Sequence, residues 1–361
     1  MRYIILLLCL FFGVVASPAQ NVIAVQNGGS SQIATTLDSA LALAQPGDTL
    51  FLSGGMFAPP SSPIDKTVHL VGVGHDPDSS QATGKTIIAD HLIFISGADH
   101  SSVTGIHVEF DIVLGTNSSD QQVSYLTVDR CNVRHIKLSY TGSTTSNTTG
   151  HSVRGCVLRG GLLGGKSTNG FFSNNFVSGN VWSFGDGCEF LNNVFAKKTS
   201  SFSSTCYVFS SITFATFRNN VVLAPASCNI PGSGAGPTVK NSYFLNNLFV
   251  NNGVISNSNS TGNDASNSII NQPIDSIFIH LPNASFGNSI TFSYQHDYNI
   301  ANPLGHNHGT DGTDIGVYGG VYAWKEGHIP FNPHVQVKAI SPNTNNAGML
   351  NVKVRVKAQD Y

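Results

Sequence analysis

Apolar residues in this chain come in short runs broken by Gly, Asn, Ser and Thr, the signature of strands and turns rather than long helices. Near the N-terminus Ile33, Leu37, Leu41 and Ala44 recur at helical spacing, which predicts one short amphipathic helix with Ser30 or Ser31 as its cap. Pro46-Gly47-Asp48 then predicts a turn, and Thr49–Leu52, Thr67–Gly72, Thr86–Ile88 and Leu92–Ile95 predict strands. At the other end, His334–Lys338 and Asn351–Lys357 alternate apolar with polar, with turn residues between them. That pattern predicts a hairpin, placed to cover the open end of the fold.

The centre of the chain repeats a phrase. Phe172-Ser173-Asn174-Asn175-Phe176-Val177 returns as Phe190-Leu191-Asn192-Asn193-Val194-Phe195, as Phe217-Arg218-Asn219-Asn220-Val221-Val222 and as Phe244-Leu245-Asn246-Asn247-Leu248-Phe249. Weaker copies lie upstream at Val103–Val108, Asp129–Val133 and Val153–Leu158. Repeats of this length stack, each unit burying its apolar side on the next. Asn suits the corner of such a unit because it tolerates the left-handed backbone that a sharp bend needs. Its amide can also bond to the same amide one layer away, at the strand spacing of about 4.8 Å.

The Asn phrase, the opening Ala40–Asp48 helix and the Pro-Gly-Asp turn together resemble the pectin-lyase-like superfamily, over roughly residues 22 to 320. The resemblance implies an all-β fold, a single-stranded right-handed parallel β-helix (a solenoid), over residues 20–320, with an N-terminal capping helix and a C-terminal β-rich extension over 321–361. The segment Asp311–Gly320 resembles the ending of many secreted bacterial β-helix proteins of unassigned function. The tail Tyr322–Tyr361, with Trp324-Lys325 and Pro330-Phe331-Asn332-Pro333-His334, resembles an extension found in Bacteroidetes-type examples.

Composition narrows the partners. A net charge of −2 offers no basic footprint for nucleic acid. Arg2, the apolar run Ile4–Val15 and the small residues Ala16, Ser17 and Ala19 have the order of a secretory signal peptide over residues 1–19. That run is too short for a comfortable membrane span, and no other stretch is apolar enough, so no membrane insertion is expected. The expected location is secreted, periplasmic or at the cell envelope. Beyond Cys9 remain Cys131, Cys156, Cys188, Cys206 and Cys228. Cys131 and Cys156 fall near the repeat register and read as buried fillers, while Cys206 and Cys228 could pair.

The superfamily implies a polysaccharide or cell-surface glycan as partner, but the known catalytic sets are missing. No Asp-Asp pair is present for hydrolysis, and Gly305-His306-Asn307 departs from the Gly-His-Gly element of the polygalacturonases. The carboxylate cluster of calcium-dependent pectate lyases is not visible either. No cofactor is expected. Laying Thr104–Asp111 over Arg130–Lys137 and Arg154–Gly160 puts Glu109, His135 and Arg159 in one column as candidate catalytic residues. Asp111 and Lys137 share another column and, with Arg134, are the candidate substrate-binding residues. His135 or Arg159 would take a proton while a neighbouring cation steadies a uronate; the competing reading is a solvated ladder of compensating charges. His296, Asp297, His306, His308, Asp311 and Asp314 form a second group whose spacing fits turn-making better than a metal site, so no metal is assigned. Tyr140, Trp182, Tyr207 and Tyr243 are candidates for stacking on sugar rings. A binder of polysaccharide is the leading expectation; a uronate-directed lyase or hydrolase and a structural or adhesive surface protein are the alternatives.

Overall fold

A computed structural model describes residues 21–197, 206–225, 228–231, 238–282, 290–329 and 334–357. The expected export segment at 1–19 and the Pro330–Pro333 part of the tail lie outside the described residues.

The chain is all-β with one short α-helix among the described residues. Its strands join two long sheets, and successive segments alternate between them. In the twelve-stranded sheet the strand Asp48–Leu52 is followed in parallel by Val68–Val71, Ser102–Thr104, Thr127–Asp129, Ser152–Arg154 and Phe171–Ser173. Glu189–Leu191, Thr216–Arg218, Tyr243–Leu245 and Asp264–Ser266 complete the stack. The fifteen-stranded sheet carries two files of strands side by side. The strands His107–Leu114 and Asn132–Lys137 run through both files without a break.

Local chemistry explains the corners. In each full copy of the repeated phrase, the first Asn (Asn174, Asn192, Asn219, Asn246) has positive φ, between 53° and 59°. The second Asn turns inward and forms the ladder. Asn175 Nδ2 donates to Asn193 Oδ1 at 3.0 Å, Asn193 Nδ2 to Asn220 Oδ1 at 3.0 Å, and Asn220 Nδ2 to Asn247 Oδ1 at 2.9 Å. Each of those amides also donates to a main-chain carbonyl of the preceding layer. All four ladder residues are buried, so the bonds satisfy groups that water cannot reach. Beside the ladder Phe172, Phe190, Phe217 and Phe244 stack with ring centroids 5.0, 4.7 and 4.6 Å apart, the spacing of the strands themselves.

The N-terminus departs from expectation. The helix spans Leu37–Leu43 and is capped by Thr36, whose side chain accepts from Ser39 N while Ser39 bonds back to the Thr36 backbone. Ser30, Ser31 and Ile33 instead lie in a strand, Ser30–Ala34, and Ile33 is exposed. Leu37 and Ala40 cover the first layer of the core.

A second core lies outside the stack. Val157, Phe176, Val194, Val221 and Leu248 follow one another in register along the outer face of the fifteen-stranded sheet. A strap formed by residues 290–329 runs back along this file and buries it under Ile300, Ile315, Val317 and Trp324. The first Asn of each phrase fastens the strap. Asn174 Nδ2 donates to the carbonyls of Val317 and Gly319, Asn192 Nδ2 to those of Asp314 and Gly316, and Asn246 Nδ2 to that of His308. Thr310 N donates to Asn219 Oδ1.

The C-terminal hairpin forms between His334–Thr344 and Leu350–Lys357, with Pro342 and Asn343 inside the first strand rather than at the turn. It pairs with neither long sheet among the described residues, and every residue of Leu350–Lys357 is exposed. It is therefore not the expected cover for the end of the stack.

Cys206 and Cys228 form a disulfide, and Cys131, Cys156 and Cys188 are free and buried. Among the described residues no helix is long and apolar enough to cross a membrane.

Candidate functional site

The two unbroken strands bend where the fifteen-stranded sheet turns its corner, and the bend is a β-bulge. Val133 pairs with Val108, but His135 pairs with Asp111, so Glu109 and Phe110 together oppose Arg134. The sequence register is corrected accordingly: Asp111, not Glu109, lies opposite His135, and Lys137 lies opposite Val113. Arg159 follows Leu158, which pairs with Val133, so it falls level with Arg134 rather than with His135.

The bulge aims Asp111 at three partners. Its side chain has no solvent exposure. Arg134 donates through Nε at 2.8 Å and Nη2 at 3.1 Å, one bond to each carboxylate oxygen. His135 Nδ1 stands 2.9 Å from Oδ1 and Lys137 Nζ 2.8 Å from Oδ2. His91 Nδ1 lies farther away, 3.8 Å from Oδ2. Burial alone would raise the carboxyl's pKa, but the bonds from Arg134, Lys137 and His135 outweigh it and hold Asp111 well below the usual carboxylate range. Arg134 also lies over the Phe110 ring, 4.7 Å from its centroid.

The surroundings of His135 favour its neutral form, with the proton on the nitrogen that faces Asp111. Burial lowers its pKa, and the pull of Asp111 in the opposite direction does not restore it. An ionised Asp111 can only accept, so Nδ1 carries the proton and Nε2 keeps its lone pair. The ring lies against Gly160, where an added Cβ would stand 2.4 Å from Nε2. Glycine leaves the space the imidazole occupies.

Glu109 and Arg159 form the neighbouring pair. Arg159 Nη2 donates to the carbonyls of Val108 and Glu109, both at 2.7 Å, capping main-chain acceptors at the bulge. Its other nitrogen is 4.0 Å from the Glu109 carboxylate, and Glu109 Oε1 is 3.4 Å from His107 Nε2. Arg159 is thus a guanidinium tied to the backbone, which is a support for the site rather than a free base.

The arrangement gathers Asp111, Arg134, His135 and Lys137 directly, with Glu109 and Arg159 alongside. Sequence reasoning missed His91 and Phe110. Phe110 gave no signal: Val108-Glu109-Phe110-Asp111-Ile112 alternates apolar with polar as an unbulged strand would, and only the bulge turns Phe110 outward and Asp111 inward.

The second group of residues makes hydrogen bonds within and beside the strap. Asp314 accepts from His306 Nδ1 at 3.0 Å and from Asn307 N at 2.9 Å. Asp311 accepts from Thr313, and His308 Nε2 meets the carbonyl of Asn267. No group of three or more His, Cys, Asp or Glu side chains suited to a metal occurs among the described residues. Of the aromatic candidates, Tyr140 and Tyr243 are exposed and Trp182 and Tyr207 half-buried. No family model, no curated protein and no solved structure matches the chain.

Proposed function

We propose that the chain is an exported right-handed parallel β-helix of the pectin-lyase-like kind, and that it binds an acidic polysaccharide at the corner around Asp111. The observation that carries the reading is an imbalance of charge. One buried carboxylate serves two full cations, Arg134 and Lys137, whose side chains are 39% and 25% exposed; Asp90 adds only a more distant pull on Arg134, so the outer donors of both cations face solvent. Phe110, 38% exposed and next to Arg134, adds an apolar surface of the kind that packs against the C–H face of a sugar. A uronate carboxylate would take the free donors of Arg134 and Lys137 while its ring lies on Phe110. The location that follows is the cell envelope or the medium.

The experiment is a binding titration of the mature protein against neutral and uronate-containing oligosaccharides. Binding confined to the uronates, and lost in Arg134→Ala/Lys137→Ala, is the expected result; equal binding to neutral chains, or none to any, overturns the reading.

The pairing of Asp111 with His135 favours a second reading, a polysaccharide lyase. His135 Nε2 would take the proton from the carbon next to the uronate carboxylate. The freed electron pair would form the new C=C bond as the glycosidic C–O bond breaks, and the departing oxygen would take a proton from water. Ultraviolet absorbance of an unsaturated product in wild type, absent in His135→Gln, is the result this reading requires.

A further inference from the structure

The file of residues under the strap changes character toward the N-terminus. Beyond Val157 its next rungs are Asn132 and then His107, so polar side chains interrupt an otherwise apolar seam. Tyr294, from the strap, reaches this point. Asn132 Nδ2 donates to Tyr294 Oη at 2.8 Å, His75 Nδ1 lies 2.8 Å from the same oxygen, and the hydroxyl donates to the His75 carbonyl at 3.1 Å. Three buried atoms here have no hydrogen-bond partner: His75 Nε2, His107 Nδ1 and Asn132 Oδ1. His75 is fully buried. The strap's far end closes the cluster, with the His328 ring 5.2 Å from His75 and 4.5 Å from Trp324. Trp324 Nε1 in turn donates to the Asn174 carbonyl, and Arg130 donates to the Ile329 carbonyl.

We propose that this junction is an acid-sensitive latch: neutral histidines hold the strap on the stack, and protonation of His75 and His328 releases it and uncovers the apolar file.

The surroundings set the direction. His75 faces Tyr294 and His328 from the strap, His107 from the strand His107–Leu114, and Lys85 beside the strand Thr86–Ile88. None of these is a carboxylate. With Nδ1–H given to Tyr294, protonation adds an N–H at Nε2, where no acceptor waits. Burial, then His328, His107 and Lys85, lower the His75 pKa well below its ordinary value. His328 faces Asp76 and Arg130, and burial pushes it down to about 4 despite Asp76. His107 faces Glu109, Arg159 and Lys85 and is lowered too, by burial first. A released strap returns these rings to the ordinary value of about 6.5, so the open form binds more protons below that pH. The closed latch is fully stabilised above about 6.5 and loses ground as pH falls toward about 4.

Hydrogen exchange of the full-length chain at pH values of about 7.5 and about 5, corrected for intrinsic rates, tests the latch on either side of the ordinary imidazole value. The reporters are the strap amides of Gly316, bonded to the Asn219 carbonyl, and Trp324, bonded to the Val317 carbonyl. The expected result is a loss of strap protection of about tenfold or more at the lower pH, with the Asn193 and Asn220 amides unchanged. His75→Gln/His328→Gln should abolish that acid response. A strap that stays protected, a strap and stack that loosen together, or a double variant with the wild-type response overturns the proposal. Should the double variant not fold, the wild-type His75 ring signal decides. Titration in step with strap opening supports the latch, and titration with the strap still closed refutes it.

Discussion

Asn193 Nδ2 donates to Asn220 Oδ1 at 3.0 Å, and the main-chain N–H of Asn193 donates to the same oxygen at 2.8 Å. One amide oxygen thereby closes both donors of the layer above, and Asn193 Oδ1 does the same for Asn175. The side chain is a main-chain surrogate at a corner where strand pairing is interrupted.

Replacing Asn193 by Ala strands the Asn175 amide and the Phe172 carbonyl in a buried site. The expected loss is about 3 kcal/mol, because each buried unsatisfied group costs about 1–3 kcal/mol. Asn193→Asp should do no better, since a carboxylate keeps the acceptor but loses the donor and faces Asn220 Oδ1. Urea denaturation of both variants measures this, and a loss below about 0.5 kcal/mol would mean the ladder is ornamental.

Asp111→Asn keeps the shape of the hub and removes its charge. At neutral pH the variant should be less stable by about 2 kcal/mol, the scale of hydrogen bonds to a charged group. The folded carboxyl is held below its ordinary range, so the stability it contributes is present above the unfolded pKa of about 3.9 and is lost as pH falls. The gap between wild type and Asp111→Asn should therefore narrow below about pH 4. Denaturation at neutral and acid pH reads it directly.

Gly160→Ala tests the seat of His135. The backbone there is not in the left-handed region, so alanine is allowed by conformation, yet its Cβ would meet His135 Nε2 at 2.4 Å and the Arg134 carbonyl at 2.8 Å. The ring must leave Asp111. The expected outcome is a loss of about 1–3 kcal/mol from overpacking, with the His135 Nδ1–H signal lost by NMR. Retention of that signal would place the imidazole elsewhere.

Reduction of Cys206–Cys228 opens a short loop, with 22 residues of separation, beside a strand of the fifteen-stranded sheet. Loop-closure entropy puts the loss at about 3 kcal/mol, provided the thiols stay reduced. Cys206→Ser/Cys228→Ser should show the same drop, measured as a lower urea midpoint, and no further change with reductant.

The repeated phrase made the stack legible because its two demands fall on adjacent letters. A left-handed corner and a ladder amide both select Asn, and the flanking Phe positions land in register as Phe172, Phe190, Phe217 and Phe244. The site was legible in membership but not in geometry. Asp111, Arg134, His135 and Lys137 do meet, yet a bulge between Val133 and His135 shifts their pairing, and nothing in the letters fixes where a bulge falls. The strap was illegible for a different reason. Its contacts, such as Tyr294 with His75, span 219 residues and depend on no local period. Thr36 rather than Ser30 or Ser31 capped the helix because Ser39 completes a reciprocal pair with Thr36.

The apolar file from Val157 to Leu248 has its cover encoded after the layers themselves, in residues 290–329. A nascent chain finishes its layers before that cover emerges, and through this interval Phe176, Val194 and Val221 form a bare greasy stripe. Premature termination upstream of Ile290 would thus yield an object with a complete interior and an adhesive flank, prone to meet its own copies. Quality control of this protein rests on that later stretch arriving in time.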